Sequence, residues 1–183
     1  MPRDKRAEPI HADDAMRFID AVRKNDINLV KSMIGTFGPA IIDTPDSLDE
    51  TALATAAWLG RTDIATLLVD TGANIEKVDG MGRTPLLCAV RTNNIPIVAL
   101  LLESGADTST RDENGRTPSM LAQHHKHQEI IDLLRTGPDP AKAAARKQNR
   151  HAESLNRRHA AQIERLRHRR PSGSPFKKDP PRP

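Results

Sequence analysis

Apolar positions in this chain return at a fixed interval of 33 residues. Leu67-Leu68, Leu100-Leu101 and Leu133-Leu134 keep one register, and Ile64, Ile97 and Ile130 keep it with them. Polar positions follow the same interval: Asp46, Asp79 and Asp112, then Thr51, Thr84 and Thr117, with Gly72-Ala73-Asn74 returning as Gly105-Ala106-Asp107. An interval of this length marks small supersecondary units stacked in a row, each burying its apolar face against its neighbours. The third unit reads most clearly. An Asp-led loop over 79–83 gives way to Thr84-Pro85, with Thr as helix N-cap and Pro at the first helical position, where its missing N–H costs nothing. The spacing predicts a first helix over 86–92, with small Ala89 in its middle so that neighbouring helices approach closely. A polar turn at Asn93-Asn94 leads to a second helix over 95–103, whose Ile97, Val98, Leu100 and Leu101 face neighbouring units. Pro96 is tolerated in the first turn, and Gly105 ends the helix.

The run D-G-x-G-R-T-P-L, followed by L-L-L-E-S-G-A-D, resembles the ankyrin repeat. The likeness is specific over 79–111, clear over 46–78 and good over 112–136. A degenerate first unit fits 12–45, where Ala21-Val22 and Leu29-Val30 align with Ala56-Ala57 and Ile64-Ala65 after a two-residue insertion in the loop 35–45. The resemblance implies an all-α fold: an ankyrin-repeat solenoid of four helix-turn-helix units with projecting loops, spanning 12–137. Three departures stand out. The family's Thr-Pro-Leu-His lacks its histidine in every unit (Ala54, Leu87 and Met120 occupy the place). Asp49 replaces the loop glycine of the second unit. Gln123 and Gln128 make the last unit polar, as suits a terminal cap.

Composition narrows this further. Aromatic residues make up only 2%, with Trp58 the single tryptophan, so Leu, Ile, Val and Ala must do the packing. The lone Cys88 cannot close an internal disulfide, which fits a reducing compartment. The N-terminus carries no apolar run of the kind a secretory signal needs, and no stretch is long enough to span a membrane. The protein is therefore expected to be cytoplasmic, and it is taken to be monomeric. Charge is divided unevenly: residues 1–140 hold 15 Lys/Arg against 21 Asp/Glu, whereas 141–183 hold 13 against 3. Residues 1–11 are expected to be disordered. A basic helix is expected over 138–170, opened by Asp139 and Pro140, and a disordered Pro-rich tail over 171–183.

Because stacking consumes the aliphatic and small columns, binding falls to the positions that vary. The ankyrin resemblance implies that these are the loop tips and the outer ends of the first helices, which line the concave face. On the loops they include Leu48, Met81 and Asn114, then Glu50, Arg83 and Arg116. On the helices they are Trp58, Arg91 and His124, then Leu59, Thr92 and His125. Trp58, Leu59, Leu48 and Met81 form an apolar centre, and Arg83, Arg91 and Arg116 a basic flank. Trp58 either anchors a partner or packs as filler against the neighbouring first helix.

Several motifs look chemical without the company that chemistry requires. His124-His125-Lys126-His127 lacks the converging ligand set of a zinc site. Cys88 lies on an apolar column with no base in register, and reads as packed rather than nucleophilic. Gly80-Met81-Gly82 lacks the preceding strand of a nucleotide-binding turn. No catalytic residue, metal or cofactor is expected. The chain reads as a non-enzymatic adaptor that binds another protein through the concave face, with the basic tail as an accessory contact. Arg157, Arg158, Arg165, Arg167, Arg169 and Arg170 are the tail residues placed against phosphate or an acidic partner. The tail admits four readings: a solvated helix folding back on the acidic body, a phosphate-contacting nucleic-acid element, an arginine-rich export signal like that of some secreted bacterial ankyrin effectors, or a nuclear or kinase motif around Ser174-Pro175.

Overall fold

The computed structural model describes residues 10–138 together with Ala141 and Ala144. Its helices pair as four antiparallel units: α1 (Ala12–Arg23) with α2 (Ile27–Phe37), α3 (Ala52–Leu59) with α4 (Thr62–Asp70), α5 (Pro85–Arg91) with α6 (Ile95–Glu103), and α7 (Pro118–His124) with α8 (Gln128–Thr136). The first helices pack side by side in one layer, α1 on α3 on α5 on α7, and the second helices follow in a second layer. Among the described residues there is no strand, and no helix is long and apolar enough to cross a membrane. The fold is an all-α helix-turn-helix solenoid. Ile10 packs against the core and His11 caps α1, its backbone N–H donating to the Asp14 carboxylate at 3.1 Å, so these two residues belong to the first unit rather than to the disordered segment expected over 1–11. Apart from Pro138, Ala141 and Ala144, the expected basic helix over 138–170, with Arg157, Arg158, Arg165, Arg167, Arg169 and Arg170, lies outside the described residues. So do the tail over 171–183 and residues 1–9.

The caps follow from the sequence. The hydroxyls of Thr51, Thr84 and Thr117 accept the backbone N–H of Ala54, Leu87 and Met120 at 3.3, 3.4 and 3.3 Å. Helix α5 begins at Pro85 and ends at Arg91, one residue earlier at each end than the spacing predicts. Proline's fixed φ already belongs to the first helical position, and Thr92 serves as the C-cap.

Ala56, Ala89 and Ala122 are fully buried, which lets α3, α5 and α7 approach closely. Ile64, Ile97 and Ile130, with Leu68 and Leu101, fill the space between the two layers. The two residues inserted in the first unit are absorbed after α2, where a 3₁₀ segment (Gly38–Asp43) turns the chain and buries Ile41 and Ile42. The sequence pattern placed a plain loop there.

Two sets of bonds tie each unit to its predecessor. At the inner turns, Arg61 Nη2 donates to the Arg23 carbonyl at 3.0 Å, Asn94 Nδ2 to the Ala57 carbonyl at 2.8 Å, and His127 Nδ1 to the Val90 carbonyl at 2.9 Å. A carbonyl only accepts, so His127 carries a proton on Nδ1. At the opposite end, the Asp43 and Glu76 carboxylates each accept a backbone N–H from the next unit, that of Asn74 and of Asp107, both at 2.9 Å.

Each inner turn also needs one residue in the left-handed region: Asn25, Gly60, Asn93 and Lys126, with φ of 57, 69, 59 and 59°. Gly60 takes it freely and Asn bonds locally, but Lys126 has neither advantage. Lys126→Gly is expected to raise the unfolding free energy by about 1 kcal/mol, measured by thermal denaturation.

Candidate functional site: the concave groove

Each loop is organised by its leading aspartate. One carboxylate oxygen accepts the backbone N–H groups two and four residues on: Leu48 and Glu50 at 2.9 and 3.0 Å from Asp46, Met81 and Arg83 at 2.9 and 3.0 Å from Asp79, Asn114 and Arg116 both at 2.9 Å from Asp112. This curls the loop through a left-handed residue, Asp49, Gly82 or Gly115, with φ of 56, 65 and 72°. Asp49 therefore does the work of the missing glycine at some strain.

The other carboxylate oxygen holds a guanidinium. Asp79 takes Arg83 through Nε at 2.9 Å and Nη2 at 2.7 Å, and Asp112 takes Arg116 at 3.1 and 3.0 Å. Burial works against the charge on Asp112, but the Arg116 N–H, its guanidinium and the Asn114 N–H together hold the carboxyl below its ordinary range. In the second unit the arginine position is Glu50, and the cation arrives from the first unit instead. Arg23 Nη2 reaches Asp46 at 3.0 Å and Glu50 at 2.7 Å, while Nη1 holds Asp20 at 2.7 Å. Removing this cation leaves Asp46, whose side chain is 2% exposed, unpaired. Arg23→Ala is expected to cost about 2 kcal/mol, less than a fully buried pair because Arg23 is partly solvated. Adding Glu50→Arg to that variant is expected to recover most of the loss by restoring the pairing used in the third and fourth units; a double-mutant denaturation cycle measures the coupling.

Between the second and third loops and the first helices α3 and α5 lies a cavity of about 290 Å³. Its lining combines apolar Trp58, Leu59 and Met81 with charged Arg23, Glu50, Asp79 and Arg83, and includes Cys88. Trp58 is 37% exposed, and its indole lies 4.8 Å from the Arg83 guanidinium and 5.7 Å from that of Arg91. Both distances fall in the cation–π range. Leu48 and Met81, the apolar loop tips, are 68% and 56% exposed. The two loops nest tightly here. A Cβ on Gly80 would stand 2.7 Å from the Leu48 carbonyl oxygen, which fixes glycine at that place.

The groove thus brings together Trp58, Leu59, Met81, Arg83 and Glu50 among the residues expected from sequence. Leu48 stands at the neighbouring loop tip. Arg91 rises over the indole, exposed and without an ion pair among the described residues. Arg83 and Arg116 are already claimed by Asp79 and Asp112, so the basic flank narrows to Arg91. Thr92 is structural in its bonding: its hydroxyl donates to the Cys88 carbonyl at 3.0 Å and accepts from Asn94 at 2.6 Å. Asn114, His124 and His125 are exposed on the fourth unit. The rings of His124 and His125 meet edge to face at 4.8 Å, and those of His125 and His127 stack at 5.5 Å. Desolvation, then the neighbouring His124, His127, Arg91 and Arg116, hold the His125 imidazole below its ordinary value.

Cys88 is fully buried, and burial with the Asp79 carboxylate pushes its thiol up to about 12, far from a reactive thiolate. No group of three or more His, Cys, Asp or Glu among the described residues could hold a metal ion. Sequence reasoning missed Arg23 and Asp79 as groove walls. The signal for Asp79 was present, since both the third and fourth units read Asp-x-x-x-Arg.

No curated protein matches the chain. A family described as ankyrin repeats (3 copies) matches residues 18–112 and 77–144, which together cover more than half of the 183 residues. That match follows the same loop–helix–turn–helix units whose caps, turns and buried alanines are described above, and the chain belongs to the ankyrin-repeat family.

Proposed function

We propose that this protein is a non-enzymatic adaptor that holds a partner protein in the groove around Trp58. Ankyrin repeats generally mediate protein–protein interaction, and the finer reading rests on one observation above all. A tryptophan exposed over about a third of its surface, flanked by two guanidiniums, lines a 290 Å³ cavity beside loops locked by buried aspartates. Trp and Arg are the residues most enriched among those that dominate binding energy, and a preorganised surface loses little entropy on association. Leu48, Leu59 and Met81 extend the apolar contact; Glu50, Asn114, His124 and His125 supply its polar rim. The basic segment after 140 is placed as an accessory contact, and a monomer in the cytoplasm is the setting proposed. Capture from native cell extract with the full chain, beside the same chain carrying Trp58→Ala, tests this. A protein retained by the first and lost by the second supports the groove. Equal retention by both, with the variant folded, overturns it.

A further inference from the structure

The groove's charges are not evenly satisfied. The carboxylates of the loop bases, Asp46, Glu50, Asp79 and Asp112, are each matched to Arg23, Arg83 or Arg116. Glu113 stands out at the loop rim against Gly82. Arg91 alone among the groove's arginines has no carboxylate among the described residues, although it is exposed and lies 5.7 Å from the Trp58 ring. Beyond it come exposed His124, His125 and Lys126, side chains that can donate hydrogen bonds. A long side chain held over an exposed indole loses less freedom on forming a new bond than one waving in solvent. Arg91 is thus the groove arginine whose guanidinium is open to a carboxylate from outside the described residues.

We propose that the groove takes an extended segment of a partner protein with two linked features: a bulky aliphatic side chain for the cavity beside Trp58 and Met81, and a carboxylate for Arg91. Arg91 lies 5.7 Å from the indole that lines the cavity, which places the acid about two residues of extended chain from the anchor, on the same face of the segment. This rests on the groove being the binding surface, and it adds the chemistry of what is bound. A guanidinium over tryptophan recognises a carboxylate by a charge-assisted hydrogen bond, while the cavity beside it sets the register.

A selection from a random peptide library on the immobilised full chain tests this. The enriched pool is expected to carry Asp or Glu about two places from Leu, Ile or Met. Enriched peptides, remade in solution, are expected to shift the fluorescence of Trp58, which as the single tryptophan reports occupancy without a label. Arg91→Glu is expected to weaken those peptides at least tenfold and to favour their Lys-for-Asp counterparts. Because Arg91 is exposed, circular dichroism is expected to be unchanged in that variant. A pool dominated by neutral or basic peptides that depend on Trp58 but not on Arg91 overturns the acidic partner and leaves the groove standing. No enrichment, or peptides indifferent to Trp58→Ala, overturns both.

Discussion

Asp79→Ala is expected to lower the unfolding free energy by about 3 kcal/mol and the melting temperature by about 10 °C. Three losses combine. The Met81 and Arg83 backbone N–H groups lose their acceptor, and the loop loses the bonds that hold its left-handed turn at Gly82. The Arg83 guanidinium, whose side chain is 17% exposed, is left without its anion in a partly dry site. An unpaired group of this kind costs far more than the pair contributed, because desolvation persists after the partner has gone. Asp79→Asn keeps an oxygen that can still accept the two backbone bonds, so it is expected to cost about half as much. Thermal and urea denaturation separate the two variants. Equal losses from Ala and Asn would assign the whole effect to the ion pair and none to the loop.

Trp58→Ala is expected to do the reverse: large in binding, small in stability. The indole is 37% exposed and lies under the Arg83 and Arg91 guanidiniums, so its removal is expected to cost about 1–2 kcal/mol of folding free energy. Truncating a central aromatic anchor typically costs about 2–4 kcal/mol of binding, or roughly 30- to 1,000-fold in Kd. Partner affinity measured by titration, alongside a melt of the same variant, gives both numbers. A melt lowered by more than about 10 °C would mean that the ring serves as filler between first helices.

Much of this architecture was legible because it is local and periodic. Thr-Pro announces the first helices of the third and fourth units, the alanine column announces close approach, and Gly105 announces an end. All three act within a few residues of themselves. The candidate groove was legible as columns of variable residues, and Trp58, Met81 and Arg83 do line one cavity. What escaped was the non-periodic and the long-range. Ile41 and Ile42 lie where the interval is broken, so nothing in the pattern distinguished a buried 3₁₀ segment from a loop. Arg23 meets Glu50 across 27 residues, a pairing that only the stack creates. Arg83 and Arg116 read as free cations because a column of arginines looks like a surface. The buried aspartate four residues earlier was the cue that they were spoken for.

The loan of Arg23 to the second loop makes the units unequal as building blocks. The third and fourth units carry their own counterion and can be moved as cassettes. The second cannot be transplanted behind a foreign neighbour without exposing Asp46 and Glu50 as two adjacent, unmatched negative charges. Anyone shortening or recombining this array should therefore cut after the second unit, or restore arginine at position 50, and treat the first two units as one inseparable piece.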